Sequence, residues 1–305
     1  MKQFRQITAA LCAVLLLGAC GAKQTPEETA APEEPEKETA MVQNIETAHG
    51  TMNYLHFGNP EGPVFVILPG LSLKSVMGAA EAVTAAYADL AADNDMYLFD
   101  RIEEFPEGYD ISAMAEDTCD AFDQLGLKDI TIMGVSQGGM IAQTIALSRP
   151  ELVSRLVLCS TAPSVKNIDQ TVFEEWHALA KNKDTAALAE SFGRYVYTPD
   201  FFEQYKDPIL ASADGATDRD LQNFVISLEG TMSFDLSDRL SEITCPCFVL
   251  GAGEDRVLGV QGSYDLMEKL GCEGYIYEGK GHGVYDEAPD YRSRIMAFLA
   301  ESGKD

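Results

Sequence analysis

One stretch of this 305-residue chain could carry covalent chemistry: Gly134-Val135-Ser136-Gln137-Gly138, a serine set between glycines, with Gly139 behind it. A β-branched run, Ile130-Thr131-Ile132-Met133, precedes it, and residues with helical spacing, Met140-Ile141-Ala142-Gln143, follow. The chain must leave a strand and enter a helix within one tight turn. Such a turn lifts the Ser136 hydroxyl above the strand's end on a strained backbone. Side chains at Gly134 and Gly138 would collide with the neighbouring strand and helix, and Gly139 lies where the helix packs close to the sheet. A serine that merely caps a helix after a buried strand has the same local pattern. Partners elsewhere in the chain decide between the two.

A serine hydroxyl is a poor nucleophile near neutral pH and needs a base to take its proton. Histidine suits that task, and the chain offers His49, His56, His177 and His282. His282 alone lies in a glycine-rich loop after a late strand, Gly279-Lys280-Gly281-His282-Gly283. A working imidazole also needs a carboxylate to fix its tautomer and stabilise its charged form. Asp255 follows the apolar run Phe248-Val249-Leu250 through Gly251-Ala252-Gly253-Glu254, at the carboxyl end of a strand, where sites gather. Glu254, one residue away, points elsewhere in this reading, and Asp286 is expected to cap the last helix.

Alternating elements must position these groups. Strands are expected at residues 51–57, 64–68, 96–100, 130–135, 155–159, 247–251 and 275–277, with helices over 76–92, 111–125 (Ser112 as N-cap), 261–270 and 289–300. Val64-Phe65-Val66-Ile67-Leu68 reads as a strand buried on both faces. Strands alternating with helices of this length imply a parallel sheet with right-handed crossovers. Between residues 163 and 240 the rhythm breaks into aromatic, charged helical pieces around Trp176, Phe192, Phe202 and Phe224, an insertion over the sheet.

The order Ser136, Asp255, His282 is the order of the α/β-hydrolases. From about residue 50 to 299 the chain resembles that superfamily, within it the helical-capped branch of esterases, enol-lactonases, carbon–carbon hydrolases and prolyl aminopeptidases. Leu68-Pro69-Gly70, the Ser136 turn, residues 251–255, and Gly281-His282 followed by Glu287-Ala288-Pro289 carry the resemblance. It implies an α/β fold: a mostly parallel central sheet flanked by helices, with a helical cap inserted after the sixth strand. It also implies an oxyanion hole made by the backbone N–H groups of Leu71 and Gln137. Two departures stand out. The family often has His-Gly where this chain has Pro69-Gly70, and the loop after Asp100, usually a Gly/Ser turn, is here residues 101–110 with Glu103, Glu104 and Glu107.

The amino terminus reads as an address and a tether. Lys2 and Arg5 precede an apolar run that closes on Leu17-Gly18-Ala19-Cys20. This is the layout of a secretory signal, too short for a membrane span, and its ending resembles the lipobox of bacterial lipoproteins, with Cys20 lipidated and residues 1–19 removed. Residues 21–44, rich in Pro and Glu, read as an extended spacer, and residues 45–303 as the folded domain. The net charge of −27 argues against nucleic-acid binding; the membrane is met through the lipid anchor only. Seven cysteines and four histidines show no zinc-binding spacing, and no metal or cofactor is called for. Cys245-Pro246-Cys247 is too tight for an easy mutual disulfide, and Cys159 and Cys247 read as buried free thiols, although export leaves open a bridge among Cys119, Cys159, Cys245, Cys247 and Cys272 whose partners sequence does not choose.

The expected activity is that of a lipid-anchored serine hydrolase acting on a small acyl substrate: an ester, thioester or lactone. Two enzyme rivals, an aminopeptidase and a carbon–carbon hydrolase, would use the same three residues. An aminopeptidase would also need a carboxylate over the pocket, with Glu174, Glu175, Glu203 and Glu229 available. A third rival is a binding lipoprotein on a hydrolase scaffold.

Overall fold

The apolar run Val64–Leu68 (β3) divides its side chains between two cores: Val66 and Leu68 enter the larger, Phe65 and Ile67 the smaller. Burial on both faces explains why its sequence is continuous rather than alternating. The computed structural model describes residues 41–301. The signal peptide, Cys20 and most of the spacer lie outside the described residues.

The other strands are β1 (Met41–Glu46), β2 (Thr51–Gly58), β4 (Asp95–Ile102), β5 (Ile130–Val135), β6 (Val153–Cys159), β7 (Cys247–Ala252) and β8 (Glu273–Tyr277). Together they form one sheet in the order β1-β2-β4-β3-β5-β6-β7-β8. The first two pairings along this order are antiparallel and the rest parallel, so the sheet is mostly parallel as expected. β1 corrects the spacer boundary, because residues 41–44 belong to the sheet, with Val42 opposite Leu55 and Asn44 opposite Asn53. This edge strand buries little, and an unburied strand leaves no alternation in the sequence to read.

Helices cover the sheet. After a 3-10 turn at Val76–Ala79 come α1 (Ala80–Ala86) and α2 (Ala88–Ala91), so the single helix expected over 76–92 is broken. The break falls at Tyr87, a buried residue with φ −104° and ψ 14°, outside helical geometry. α3 (Ile111–Leu125) has the expected bounds but a different cap. Asp110, not Ser112, is the N-cap, its carboxylate accepting the N–H groups of Ser112 and Ala113. α4 (Gln137–Ser148) follows the Ser136 turn.

Between β6 and β7 stand α5 (Thr171–Lys181), α6 (Thr185–Val196), α7 (Pro199–Gln204), α8 (Lys206–Ala211) and α9 (Asp218–Met232). Trp176, Phe202 and Phe224 are buried among them. The two stems of this cap are tied where Val165 N donates to Phe234 O at 3.1 Å and Leu236 N to Pro163 O at 2.8 Å. The chain closes with α10 (Val260–Leu270), α11 (Val284–Glu287) and α12 (Tyr291–Glu301). Asp286 does not cap the last helix. It lies buried in α11 and accepts the Tyr197 hydroxyl at 2.8 Å. The five described cysteines are free, with Cys119, Cys159 and Cys247 buried.

Candidate active site

Ser136 joins β5 to α4 with φ 52° and ψ −118°, a region that a residue with a Cβ enters only at a cost. Hydrogen bonds on both sides hold it there: Ser136 N donates to Cys159 O at 2.8 Å, and Thr161 Oγ1 donates to Ser136 O at 2.7 Å. The glycines make room as the sequence required. A Cβ on Gly138 would sit 2.1 Å from Leu68 O, and one on Gly134 would sit 2.4 Å from Gly138 O. The strained turn is therefore imposed by its neighbours.

Asp255 lies just beyond β7. Its Oδ1 accepts Val257 N at 2.8 Å and Leu258 N at 2.9 Å, which fixes the carboxylate plane. Its Oδ2 lies 2.8 Å from His282 Nδ1, and the two side chains are 3% and 5% exposed. Burial alone would raise the Asp255 carboxyl. The charge and hydrogen bond of His282 and the two backbone N–H groups outweigh it, so the group is held below the usual carboxylate range. An ionised Asp255 only accepts, so the shared proton resides on Nδ1 and Nε2 is left as the basic nitrogen.

The loop carrying His282 is stapled to the cap. Gly283 N donates to Val196 O at 2.8 Å, at the end of α6, and Glu287 accepts both the N–H and the hydroxyl of Thr198 at 2.8 Å. Ser136 and His282 line one cavity, about 570 Å³ including the part open to solvent, together with Leu71, Gln137 and the cap aromatics Trp176 and Phe192. Neither Leu71 N nor Gln137 N donates a hydrogen bond within the described residues, so both are free for a ligand.

A buried network beside the cavity was not legible in the sequence. The sequence places Arg101 first in a loop, but β4 continues to Ile102 and Arg101 is 8% exposed. Its Nη2 donates to Pro69 O at 2.7 Å and to Gln137 Oε1 at 2.6 Å. Gln137 Nε2 in turn donates to Ser227 Oγ at 2.8 Å and Thr231 Oγ1 at 2.7 Å on α9. Arg101 thus ties the loop before Leu71 to the residue after Ser136, and Gln137 ties both to the cap. A lone arginine after an apolar strand gave only its charge as a signal.

Among the described residues, no cluster of three or more His, Cys, Asp or Glu could hold a metal ion. None of Glu174, Glu175, Glu203 and Glu229 lines the cavity. Glu229 is 2.7 Å from His177, and Glu175 accepts the Ser191 hydroxyl at 2.6 Å.

The comparisons with known proteins agree with this architecture. "Putative carbamate hydrolase RutD" of Stutzerimonas stutzeri (strain A1501) is 24% identical over 264 residues, covering 83% of this chain and 95% of its own. The enol-lactonase from Burkholderia xenovorans LB400 superposes with a TM-score of 0.73 at 18% identity, over 85% of this chain and 100% of its own. A thermophilic esterase from Thermogutta terrifontis gives 0.71 at 19% identity, over 86% and 99%. The family model for the alpha/beta hydrolase fold matches residues 63–289, and the chain belongs to that family.

Proposed function

We propose that this chain is a serine hydrolase that cleaves carboxylic esters, thioesters or lactones through Ser136, His282 and Asp255. The observation that carries the reading is the buried His282–Asp255 pair, whose imidazole lines one cavity with a strained serine. In this reading Ser136 Oγ attacks the acyl carbon as His282 Nε2 takes its proton. The oxyanion is met by the N–H groups of Leu71 and Gln137, donors worth about 3 kcal/mol each when aimed where charge develops. The protonated imidazole, stabilised by Asp255, gives its proton to the leaving group, and an acyl-enzyme remains. Water, deprotonated by the same imidazole, then releases the acid and restores Ser136.

Carbamates are a second reading, favoured by the description of the Stutzerimonas relative. The same steps would pass through a carbamoyl-serine. An aminopeptidase has less support, since no cap glutamate among those considered reaches the cavity.

We further propose that the enzyme is exported and held at a bacterial membrane by lipid on Cys20, on the strength of Leu17-Gly18-Ala19-Cys20 and the spacer behind it. Incorporation of labelled palmitate into the expressed full chain, lost in Cys20→Ser, is the expected result. Equal labelling of that variant contradicts the anchor.

A substrate panel tests the chemistry: p-nitrophenyl acetate, a five-membered lactone, an aryl carbamate and an amino-acid arylamide. The ester or lactone should exceed the arylamide in kcat/KM by at least about 100-fold, with every activity lost in Ser136→Ala. A preference for the arylamide contradicts the ester reading, and one for the carbamate replaces it with the second.

A further inference from the structure

A second cavity lies on the far side of Phe192. Its space, about 960 Å³ including the part open to solvent, has apolar walls from Leu188, Ala189, Ile209, Ala213 and Phe224. Phe192 lines both this chamber and the cavity of Ser136. Along α6 the residues pass from one space to the other at helical spacing: Leu188 faces the chamber, Phe192 both, and Val196 the reaction cavity. The Phe192 ring lies 4.5 Å from Trp176, a reaction-cavity residue, and 6.4 Å edge-on from Phe224, a chamber residue. One half-buried ring is thus the partition between two apolar spaces.

The loop after Leu71 continues into the chamber wall through Ser72 and Leu73. At its edge Lys74 Nζ donates to Asp214 O at 2.9 Å and straps this loop to the cap. A chain starting from a carbonyl held at Leu71 and Gln137 would therefore have an apolar space beside it, across Phe192, the residue common to both linings. Large apolar walls with few polar groups suit an aliphatic ligand.

We propose that Phe192 is a gate, and that the chamber behind it takes the aliphatic tail of medium-chain ester substrates, the tail displacing the ring as it enters. This rests on the serine-hydrolase reading above for its chemistry and on the shared wall for its place. Each methylene moved from water into such a space is worth about fourfold in binding. Opening the gate should therefore favour long chains strongly over short ones.

The test uses the purified chain and the ratio of kcat/KM for p-nitrophenyl decanoate over p-nitrophenyl acetate, with decyl acetate as the arm that puts the tail in the alcohol half. Phe192→Ala, or the milder Phe192→Leu, should raise a long-to-short ratio at least about tenfold, and Ala213→Phe, which fills the chamber, should lower it by as much. The arm that moves identifies the half of the ester that enters. Ratios in both arms within about twofold of wild type for these variants overturn the proposal.

Binding is read separately, because Trp176 is the single tryptophan of the sequence and contacts the gate. In Ser136→Ala, decanoate should change its fluorescence saturably and acetate should not, and the change should disappear when Ala213→Phe is added. No change with decanoate, or an equal change with the chamber filled, also overturns the gate. Decanoate binding without turnover of any ester by the wild type would keep the chamber and remove the hydrolase reading.

Discussion

All four histidines of this chain lie within hydrogen-bond distance of a carboxylate, and only one of them also lines the cavity of Ser136. His282 and Asp255 are buried at the carboxyl ends of parallel strands, and His282 lines a cavity with Ser136. At the antiparallel end of the sheet, His49 Nδ1 lies 2.9 Å from Asp117 and His56 Nε2 lies 2.6 Å from Asp95. In the cap His177 meets Glu229 at 2.7 Å. Distances are similar throughout, so the pair itself carries no function. His56 stacks on Tyr97 at 4.4 Å, and Asp117 also accepts the N–H of His49 and the Tyr109 hydroxyl. These pairs fasten an edge of the sheet. The His282–Asp255 pair is set apart by the cavity that its imidazole lines with Ser136.

The sharpest contrast comes from matched substitutions. Asp255→Asn should lower kcat/KM for esters by about 10³–10⁴, because the amide can no longer hold the imidazole in the working tautomer. Asn can still accept the N–H groups of Val257 and Leu258, so Tm should change little. A loss below tenfold would break the distinction between the two kinds of pair. Gln137→Ala comes next. It keeps the backbone N–H but leaves Arg101 and the α9 hydroxyls without their shared partner. A stability loss of about 2–3 kcal/mol and a fall in kcat of about tenfold are expected, read by thermal unfolding and ester turnover. Unchanged stability would show that the cap does not depend on this link.

Asp117→Asn is the control from the other end of the sheet. Activity should stay within about threefold of wild type, while stability falls by about 1–3 kcal/mol as buried hydrogen bonds rearrange. A large activity loss here would mean that this edge pair is also functional. The smallest effect belongs to His49. The Asp117 hydrogen bond holds its pKa above the ordinary histidine value, against a smaller opposing effect of burial. A raised pKa gives stability that is fully present below the unfolded value of about 6.5 and is lost as pH rises through the folded value. Since the His49 side chain is 33% exposed, solvent screens the pair, and its worth is under about 1 kcal/mol. His49→Ala should therefore lower Tm more at pH 5.5 than at pH 9, and a pH-independent difference would assign its role to packing.

The same contrast explains what could be read from the sequence. Parallel strands buried on both faces leave continuous apolar runs, and those from 64–68 onward were legible, as was the strained turn between Gly134 and Gly138. The edge was not. β1 exposes most of its side chains and carries no periodic signal, so it merged with the spacer. Local capping was also misplaced at Asp110, because Asp and Ser two residues apart both suit an N-cap. Arg101 escaped because its function depends on partners at 69 and 137, which only the folded sheet brings together. Phe192 was visible as one of many cap aromatics, but not as the wall between two cavities.

In the proposed function one serine is made nucleophilic by one histidine. Reaction of the folded protein with a fluorophosphonate, mapped by peptide mass spectrometry, reports on that activation at the residue itself. A single modified residue, Ser136, is expected, with no labelling in Ser136→Ala and labelling at least about 100-fold slower in His282→Ala. A folded protein that stays unmodified, or that is modified elsewhere, contradicts it.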